Sequence, residues 1–321
     1  MKIAIASCSN PNNYPNQPVW SHISAKKPDA LVLLGDTIYL DVPWATTFNG
    51  EMIHPSDADA ADFLKHGLRL YRAQLGQSGF AALIKNVAKT YAIWDDHDFL
   101  WNNAAGDALP KNVYRDHFQA TRALFKAFRE AIGAKDPSIF PALDTDPRLH
   151  NPAEPAPGYQ AVDLDAKLCL HLTDGRSFRN KYQMLGSAQR AQITNAMQAR
   201  PGFVHVMASG NVFNGTKGER WSAYPEDFEW LKLMAKQHRI LIASGDVHEN
   251  RIPTAFKVPG GHDILEITSS GAAIGSLVAA GKQKHNFGMI EISNGQLTLS
   301  TFKDDPVAND VGRVSIQING W

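Results

Sequence analysis

The sequence has few cysteines and no excess charge of either sign. Two cysteines in 321 residues, Cys8 and Cys169, exclude a fold held together by several disulfide bonds. Lysine plus arginine number 32, and aspartate plus glutamate number 32, so the formal net charge is zero. A balanced charge excludes a basic footprint for nucleic acid over the whole surface, although one basic pocket remains compatible with it. We therefore expect no long nucleic acid as a partner.

Long hydrophobic runs are also missing. No apolar stretch approaches the ~20 residues that a membrane-spanning helix needs. The apolar run after Lys2 is interrupted at Asn10, Pro11 and Asn12, and no twin-arginine pair precedes it, so it is too short for a signal peptide. The hydrophobic fraction of 44% and the charged fraction of 20% are typical of a globular chain. We expect a cytoplasmic protein without a membrane span.

What the sequence does contain is a series of short apolar runs, each followed by a polar or acidic residue. These runs predict six buried strands, at residues 2–8, 30–34, 90–94, 162–173, 204–208 and 240–244. In open sheets of parallel strands, ligands bind beyond the carboxyl ends of the strands. The polar residues that follow the runs therefore predict a site along one sheet edge.

The segments between these strands have apolar residues at helical spacing. It predicts helices at residues 57–76, 112–133, 187–199 (capped by Ser187) and 225–238. Nearer the C-terminus, strand runs occur at residues 263–268, 287–292 and 297–302, and Asn294-Gly295 is typical of a tight hairpin turn. Residues 136–160, rich in Pro, Asp and Asn, predict a surface loop. The pattern indicates an α/β protein in which the earlier strands of the chain pair in parallel and the C-terminal strands pair antiparallel.

The first acidic strand end reads Gly35-Asp36-Thr37-Ile38-Tyr39. A carboxylate has two oxygens, so Asp36 can bridge two metal ions just beyond its strand. Tyr39 can return to the same place through a turn. A turn aspartate that caps a helix is the alternative interpretation of this segment.

A denser acidic cluster follows the third predicted strand, in Trp94-Asp95-Asp96-His97-Asp98. Three carboxylates and an imidazole within four positions would interact unfavourably without a cation among them. Hard carboxylate oxygens suit Ca²⁺, Mg²⁺, Mn²⁺ or ferric iron, and Asn102 and Asn103 can add carbonyl ligands. A solvated acidic turn is the alternative, but the apolar lead-in indicates a buried segment.

Two further strand ends carry metal-ligand residue types. Asp246 and His248 stand two positions apart after the sixth predicted strand, and in an extended segment both point to the same side. A capped loop with an incidental histidine is the alternative. Cys8 ends the first strand; a buried cysteine alone is more often a small hydrophobic residue, but here the other strands also end in ligand types. Cys169 lies inside an apolar run and is predicted to be a core residue.

Two arginines follow another strand, in Asp174-Gly175-Arg176-Ser177-Phe178-Arg179. A guanidinium group grips phosphate or carboxylate through parallel hydrogen bonds. Surface salt bridging with Asp174 is the alternative. Because the pair stands at a strand end, anion binding is the favoured interpretation.

In their order along the chain, these strand ends resemble those of the PhoD-type alkaline phosphatases. That family belongs to the calcineurin-like metallophosphatases and is similar to purple acid phosphatases. Each motif is weak alone, whereas the ordered set over about residues 3 to 270 is specific. The resemblance rests on Cys8, on the segments around Asp36, Asp96, Arg176 and Asp246, and on Leu185-Gly186 with Gln189.

The resemblance implies a four-layer αββα sandwich of mixed sheets with a metal centre at the carboxyl ends of the strands. It implies a ferric ion with one or two divalent ions, of which Ca²⁺ is favoured and Mn²⁺, Mg²⁺ and Zn²⁺ are the other options. The implied iron ligands are Cys8, Asp36, Tyr39 and His248. The second site would share Asp36 as a bridge and add Asp95, Asp96 and Asp246.

The resemblance also implies catalytic and substrate-binding roles. His97 matches the catalytic histidine of the superfamily motif Gly-Asn-His-Asp/Glu, with Asp96 where that motif has Asn. Arg176 would neutralise charge that develops on the phosphate. The substrate-binding set would comprise Arg176, Arg179, Asn102 and Asn211.

These expectations describe a metal-dependent hydrolase of phosphoric monoesters, in which a metal-bound hydroxide attacks phosphorus in a small phosphate ester. The alternatives are a phosphodiesterase or phospholipase D-like enzyme acting on nucleotide or lipid head groups, and a metal-binding scaffold without catalysis. We expect one domain over residues 1–321. Its insertions at about 40–88 and 99–160 would determine specificity through aromatic walls at Trp44, Phe48, Trp101 and Tyr114.

Overall fold

The computed structural model describes residues 1–321 except 44, 151–157, 216–218, 252, 276–284 and 304–309. The strands in chain order are β1 Lys2–Ala6, β2 Ala30–Leu34, β3 Thr46–Phe48, β4 Glu51–Ile53, β5 Lys89–Ile93, β6 Gln160–Asp165, β7 Leu168–Leu172, β8 Val204–Ser209, β9 Arg239–Ser244, β10 Thr254–Phe256, β11 Ile264–Thr268, β12 Asn286–Ser293, β13 Gln296–Lys303 and β14 Asp310–Gln317. The helices are α1 Val19–Ala25, α2 Ala60–Leu75, α3 Ser78–Asn86, α4 Asp96–Phe99, α5 Arg115–Gly133, α6 Pro147–His150, α7 Ser187–Gln198 and α8 Pro225–Met234.

Two six-stranded mixed sheets form the centre of the fold. The first has the order β14-β13-β12-β1-β2-β5, in which β1, β2 and β5 are parallel and the other three strands are antiparallel. The second has the order β10-β11-β9-β8-β7-β6, with β7, β8, β9 and β11 parallel. Each sheet therefore gathers the carboxyl ends of its parallel strands at one edge.

Successive side chains of a strand point to opposite faces of its sheet, so each sheet contributes to two separate layers of the core. Ala4 and Leu31 pack with the helices α1, α2, α3 and α5, whereas Ile3 and Val32 face the second sheet and pack with residues such as Leu170. The outer face of the second sheet packs against α7 and α8. This order of helices, sheet, sheet and helices confirms the expected αββα sandwich.

Most of the predicted strands and turns are present, with some differences. The predicted strand 162–173 is two antiparallel strands, β6 and β7, joined by a turn at residues 166–167; no glycine or proline marks that turn, so the run appeared continuous. Strands β3, β4, β10 and β14 were not predicted. Asn294 and Gly295 form the predicted hairpin turn, with φ values of 51° and 74°, as a two-residue turn of this hand requires.

The four predicted helices are present, but their observed ends differ from the predicted ones. Helix α2 begins after Asp59, whose Oδ1 accepts a hydrogen bond of 2.8 Å from the Ala61 N–H. Ser187 is the first residue of α7 and not its cap, because Gly186 takes the N-cap position. Helices α1 and α3, seven and nine residues long, were not predicted; such short helices carry little periodic signal.

The two expected insertions contain α2, α3 and α5, three of the helices that pack against the first sheet. Trp44 and residues 151–157 lie outside the described residues. Phe48 is a core residue in contact with His66, with ring centroids 4.8 Å apart, so it does not line an open pocket. Trp101 and Tyr114 are half-buried and pack edge to face at 5.3 Å. Over the described part of the chain, no helix is both long and apolar enough to cross a membrane.

Candidate metal centre

The carboxyl ends of the parallel strands from both sheets meet at one place. The potential ligand atoms of Cys8, Asp36 and His248 all lie within 4.8 Å of one another. The same holds for a carboxylate group made of Asp36, Asp95, Asp96 and Asp246, and for Asp36 with Asp96 and His97. Asp36, just beyond β2, belongs to all three groups. The structure thus joins the residues that the sequence placed at four separate strand ends.

The backbone at this edge has an uncommon conformation. Cys8, Asp36, Asp246 and His248 have φ values of 62°, 52°, 67° and 56°, in the left-handed region that residues other than glycine rarely adopt. Such residues cost on the order of 1–3 kcal/mol each and concentrate at functional sites. The cost here is associated with sharp turns directly after β1, β2 and β9, which bring the side chains to a common point.

Gly35 makes one of these turns possible. Its φ is 94°, and a Cβ at this position would lie 2.5 Å from the Cβ of Asp95. Only glycine therefore allows the ends of β2 and β5 to approach this closely. Asp36 and Asp95 are adjacent for that reason.

One side of the centre combines a thiol, a phenol and an imidazole. Sγ of Cys8 lies 3.4 Å from Oδ2 of Asp36, and the Tyr39 hydroxyl lies 3.2 Å from Nε2 of His248. Burial raises the pKa of the Cys8 thiol and the pKa of the Tyr39 hydroxyl. Both groups are therefore neutral at pH 7 unless a cation draws off their protons.

The other side consists of buried carboxylates. Burial, together with neighbouring acidic groups, raises the pKa of Asp36 and of Asp246 well above the ordinary value, and burial also raises the pKa of Asp95. Among the described residues, Oδ1 of Asp36 and Oδ2 of Asp95 are buried without a hydrogen-bond partner. Orphaned buried oxygens are costly, and a bound cation would satisfy them. The donor set therefore fits a metal centre.

Asp98, the third carboxylate of the acidic motif, has a different place. Its Oδ1 accepts hydrogen bonds from the backbone N–H groups of Thr37 and Ile38, at 3.0 and 3.1 Å, and from the Tyr71 hydroxyl at 3.2 Å. It faces the turn after β2. Asp98 thus fixes the backbone that carries Asp36 and Tyr39.

His97 is held by a residue that sequence reasoning missed. Its Nδ1 lies 2.5 Å from Oδ1 of the fully buried Asp41. Burial alone would lower the pKa of His97, but the carboxylates of Asp96 and Asp41 raise it to about 9. Asp41 stands in the same loop as Tyr39, and nothing in the sequence around it distinguishes it from a turn aspartate.

Asn102 and Asn103, predicted as carbonyl ligands, contribute backbone N–H groups to the centre. The Asn102 N–H donates to Oδ2 of Asp41 at 2.7 Å, and the Asn103 N–H donates to Oδ2 of Asp96 at 2.7 Å. Both side chains are exposed. The two residues therefore orient buried carboxylates through the main chain.

The two predicted arginines lie beside the carboxylates and are fully buried. Nε of Arg176 lies 2.5 Å from Oδ1 of Asp95, and its Nη2 lies 3.6 Å from Oδ1 of Asp96. Arg179 donates to the side chain of Asn211, so the structure places the predicted substrate-binding residue Asn211 next to the arginines. These groups form a basic lining on one side of the acidic centre.

Asp174 does not pair with the arginine side chains as the salt-bridge alternative supposed. Its Oδ1 accepts hydrogen bonds from the backbone N–H groups of Arg176 and Ser177, at 3.1 and 2.9 Å, and from Nε1 of Trp94 at 2.9 Å. It shapes the turn after β7. The alternative interpretation, in which the two arginines form surface salt bridges with Asp174, was therefore wrong.

A second residue missed by sequence reasoning joins the arginines. The carboxylate of Glu219 forms an ion pair with Nη2 of Arg176 at 2.6 Å, and it accepts hydrogen bonds from Nη1 of Arg179 and from Nδ2 of Asn211, the latter at 3.0 Å. Burial alone would raise the pKa of Glu219, but the positive charges of Arg176 and Arg179 hold it well below its usual value. Glu219 follows no apolar strand, so the pattern that located the other site residues did not include it.

Comparison with known families decides what this site belongs to. The sequence model of the family described as PhoD-like phosphatase matches residues 3–298. The chain belongs to the PhoD-like phosphatase family. The resemblance inferred from the strand ends is thereby confirmed, and the chain is a phosphoric ester hydrolase of a metal-dependent family. No protein with a curated function matches it.

Several solved structures are similar to this PhoD-like phosphatase over nearly its whole length. A structure described as that of PhoD superposes with a TM-score of 0.64 at 15% identity, covering 99% of this chain and 68% of that chain. A Vps29 mutant from Entamoeba histolytica gives 0.38 at 8% identity, covering 98% of this chain and 99% of its own. A phosphoesterase from E. coli, Yfce, gives 0.33 at 13% identity, covering 99% and 100%. The first of these likenesses supports the metallophosphatase fold.

Proposed function

We propose that this PhoD-like phosphatase hydrolyses the monoesters of small phosphate compounds at the strand-end centre. The observation that carries the proposal is the position of Asp36 between two donor sets of different chemistry. On one side lie the thiol of Cys8, the phenol of Tyr39 and the imidazole of His248. On the other side lie carboxylates. Such a division suits two unlike metal ions that share one bridging carboxylate.

The first donor set suits ferric iron. Cys8, Tyr39 and His248 would hold it together with Asp36, because thiolate and phenolate stabilise an oxidised ion. Asp95, Asp96 and Asp246 would hold a divalent ion, for which Ca²⁺ is our first choice because oxygen ligands dominate. When bound, the ions lower the pKa of a water molecule and neutralise the charge of the phosphate.

His97 supplies the proton for the leaving group. Its Nδ1 is fixed by Asp41, so the ring is oriented and Nε2 is the nitrogen that would donate to a substrate. A partner on Nδ1 fixes the tautomer of a catalytic histidine and supports its protonated form. We therefore assign His97 as the general acid and Asp41 as the residue that positions it.

The basic lining binds the phosphate. Arg176, Arg179 and Asn211 already converge on a single carboxylate, that of Glu219. Phosphate oxygens, like carboxylate oxygens, are anionic acceptors that a guanidinium group binds through charge-assisted hydrogen bonds. Substrate phosphate would therefore use the same donors, and Arg176 would stabilise the charge that grows on it in the transition state.

Turnover with and without metal tests the proposal. Protein purified without chelator should carry metal ions and hydrolyse an aryl phosphate monoester. Chelation followed by verified removal of the ions should abolish turnover, and reconstitution should restore it. Asp36→Asn should be inactive, because an amide does not bridge two cations with two anionic oxygens, whereas the surface control Asp107→Asn should be normal.

The substrate panel decides between esters. We expect faster hydrolysis of aryl and alkyl monoesters than of nucleotide or lipid diesters under the same conditions. Faster turnover of a diester would overturn the monoester assignment and leave the metal centre intact. Activity that survives verified metal removal would overturn the metal-centre proposal.

A further inference from the structure

A second cluster of metal-ligand residues lies away from the strand ends, on the outer face of the second sheet. Cys169 and His171 stand two positions apart on β7, and His205 on β8 is the register partner of Cys169. Their neighbours Leu170 and Val206 face the core between the sheets. Because side chains alternate along a strand, the three residues share the opposite face.

The three side chains are close enough to hold one ion. One potential ligand atom from each of Cys169, His171 and His205 lies within 4.8 Å of the others. Nε2 of His171 lies 2.9 Å from Nδ1 of His205. All three residues are 0% exposed. Two imidazole nitrogens at this separation share one proton, and a small outward shift would let a cation replace it at the ~2.0–2.1 Å distances typical of zinc–nitrogen bonds.

The surroundings resemble those of a ligating histidine. The Tyr159 hydroxyl lies 2.7 Å from Nδ1 of His171, on the ring edge away from His205. Metal-bound histidines commonly have such a partner on the second nitrogen, which fixes the ring orientation. Over the described residues, Nε2 of His205 is buried without a hydrogen-bond partner. Tyr159 thus orients the His171 ring. One ring nitrogen of His205 makes no hydrogen bond within the described part of the protein.

Protonation states also favour a ligand role. Burial, with a contribution from neighbouring positive groups, lowers the pKa of His171 to about 3 and that of His205 to about 4. Both imidazoles are therefore neutral at pH 7, the form that binds metals. Burial raises the pKa of Cys169 to about 12, so this thiol would lose its proton only on binding a cation.

Two charged groups border the cluster. The Asp163 carboxylate stands opposite Cys169 in the ladder and interacts with its thiol. Arg200 is a positive neighbour that would oppose a cation, but its Nε lies 2.5 Å from Oδ1 of Asp163 in an exposed ion pair. The pair leaves little net charge beside the cluster.

We propose that Cys169, His171 and His205 form a second metal site, selective for Zn²⁺ or a similar borderline-soft divalent ion. One sulfur and two imidazole nitrogens match zinc, whereas Ca²⁺ and Mg²⁺ require oxygen ligands. The fourth position is left to water or to Asp163. The site is independent of the proposed catalytic centre, since it lies on another face and uses none of its residues.

Cobalt spectroscopy isolates this site. The chain has two cysteines, so in a Cys8→Ser variant only Cys169 can supply a thiolate. Co²⁺ added to that full-length variant should give a thiolate-to-cobalt charge-transfer band at one equivalent, and Zn²⁺ should abolish it. The band should disappear in Cys8→Ser/Cys169→Ala and weaken in Cys8→Ser/His205→Gln. The exposed control Cys8→Ser/His150→Ala should keep it.

Thermal unfolding provides the second measurement. Zn²⁺ should raise the Tm of Cys8→Ser protein by more than it raises the Tm of Cys8→Ser/Cys169→Ala, because an ion that binds only the folded state stabilises it and the alanine variant has lost one of the two sites. If the alanine variant does not fold, the His205→Gln variant serves for both measurements. Absence of a thiolate band at saturating Co²⁺, or a band unchanged without Cys169, would overturn the proposal. A Cys169→Ser variant of the otherwise native protein should retain its phosphoesterase turnover.

Discussion

The carboxylate of Glu219 lies 2.6 Å from Nη2 of Arg176, the guanidinium that stands beside Asp95 and Asp96. An acidic side chain therefore occupies the donors that the proposed function assigns to substrate phosphate. Its side chain is 17% exposed, whereas that of Arg176 is fully buried. Glu219 thus stands on the solvent side of the arginine.

Removal of the Glu219 charge should strengthen phosphate binding. Glu219→Gln keeps the shape of the side chain and ends the competition for Arg176 and Arg179. We expect the inhibition constant of inorganic phosphate and the KM for a monoester to fall by roughly 10-fold, about the effect of one charge-assisted hydrogen bond. Both constants come from initial-rate assays. A rise in both would show instead that Glu219 holds the arginines in their active positions.

Loss of Arg176 should have the opposite effect. Arg176→Ala removes a charge-assisted contact worth ~1.5–3 kcal/mol and should lower kcat/KM for a monoester by at least about 10-fold. The variant Arg176→Lys should keep only part of the wild-type kcat/KM, because lysine lacks the planar guanidinium group that makes two parallel hydrogen bonds. The matched control is Arg190→Ala, which breaks ion pairs to Asp227 and Glu226 away from the site. Unchanged kcat/KM and phosphate inhibition in Arg176→Ala protein would contradict the anion-binding role.

Asp41 should affect the chemical step more than binding. Asp41→Asn weakens the contact that orients His97, so we expect kcat to fall about 10- to 100-fold with little change in KM. The loss should be smaller for an aryl ester, whose leaving group needs little protonation, than for an alkyl ester. Equal losses on both esters would mean that His97 does not act as the general acid.

Colour reports the iron ligands. Metal binding deprotonates tyrosine and thiol groups, and tyrosinate or thiolate beside ferric iron should give charge-transfer bands in the visible spectrum. Iron-loaded protein should be coloured and should bleach on reduction or chelation. Tyr39→Phe should shift or remove one band with the fold unchanged, and Cys8→Ser should change the spectrum separately and lower iron occupancy. A colourless, iron-free and fully active protein would favour divalent ions alone.

His66 should make stability depend on pH. Burial and the neighbouring Arg69 lower the pKa of His66 in the folded protein to about 4, against 6.5 for the ordinary value. The unfolded chain therefore binds the proton first, so this contribution is complete above pH 6.5 and is lost as pH falls towards 4. The total is on the order of 3 kcal/mol.

Urea unfolding at pH 8 and pH 4.5 measures that contribution. His66→Leu should lose less unfolding free energy than the wild type between these two pH values, because the buried leucine binds no proton. The exposed control His150→Leu should follow the wild type. Parallel pH profiles for the wild type and His66→Leu would show that His66 is accessible to protons in the folded state.

Apolar runs along the chain predicted most strands of the two central sheets and the positions of most candidate ligand residues. Apolar runs identify buried strands because a strand buried on both faces needs apolar residues throughout, and β2 and β9 show this pattern clearly. Polar residues just beyond the runs could then be placed at one edge. Thus Asp36, Asp96, Asp246 and their neighbours were found without coordinates.

The partners of those residues became visible only in the folded protein. Asp41 and Glu219 contact His97 and Arg176 from loops that are distant in sequence from them, 56 and 43 residues away. Cys169 was predicted to be a core residue, and its burial is confirmed, but its approach to His205 depends on the register of β7 and β8. Periodicity reports which face of a strand is buried, whereas contacts between separate segments depend on how the chain closes in three dimensions.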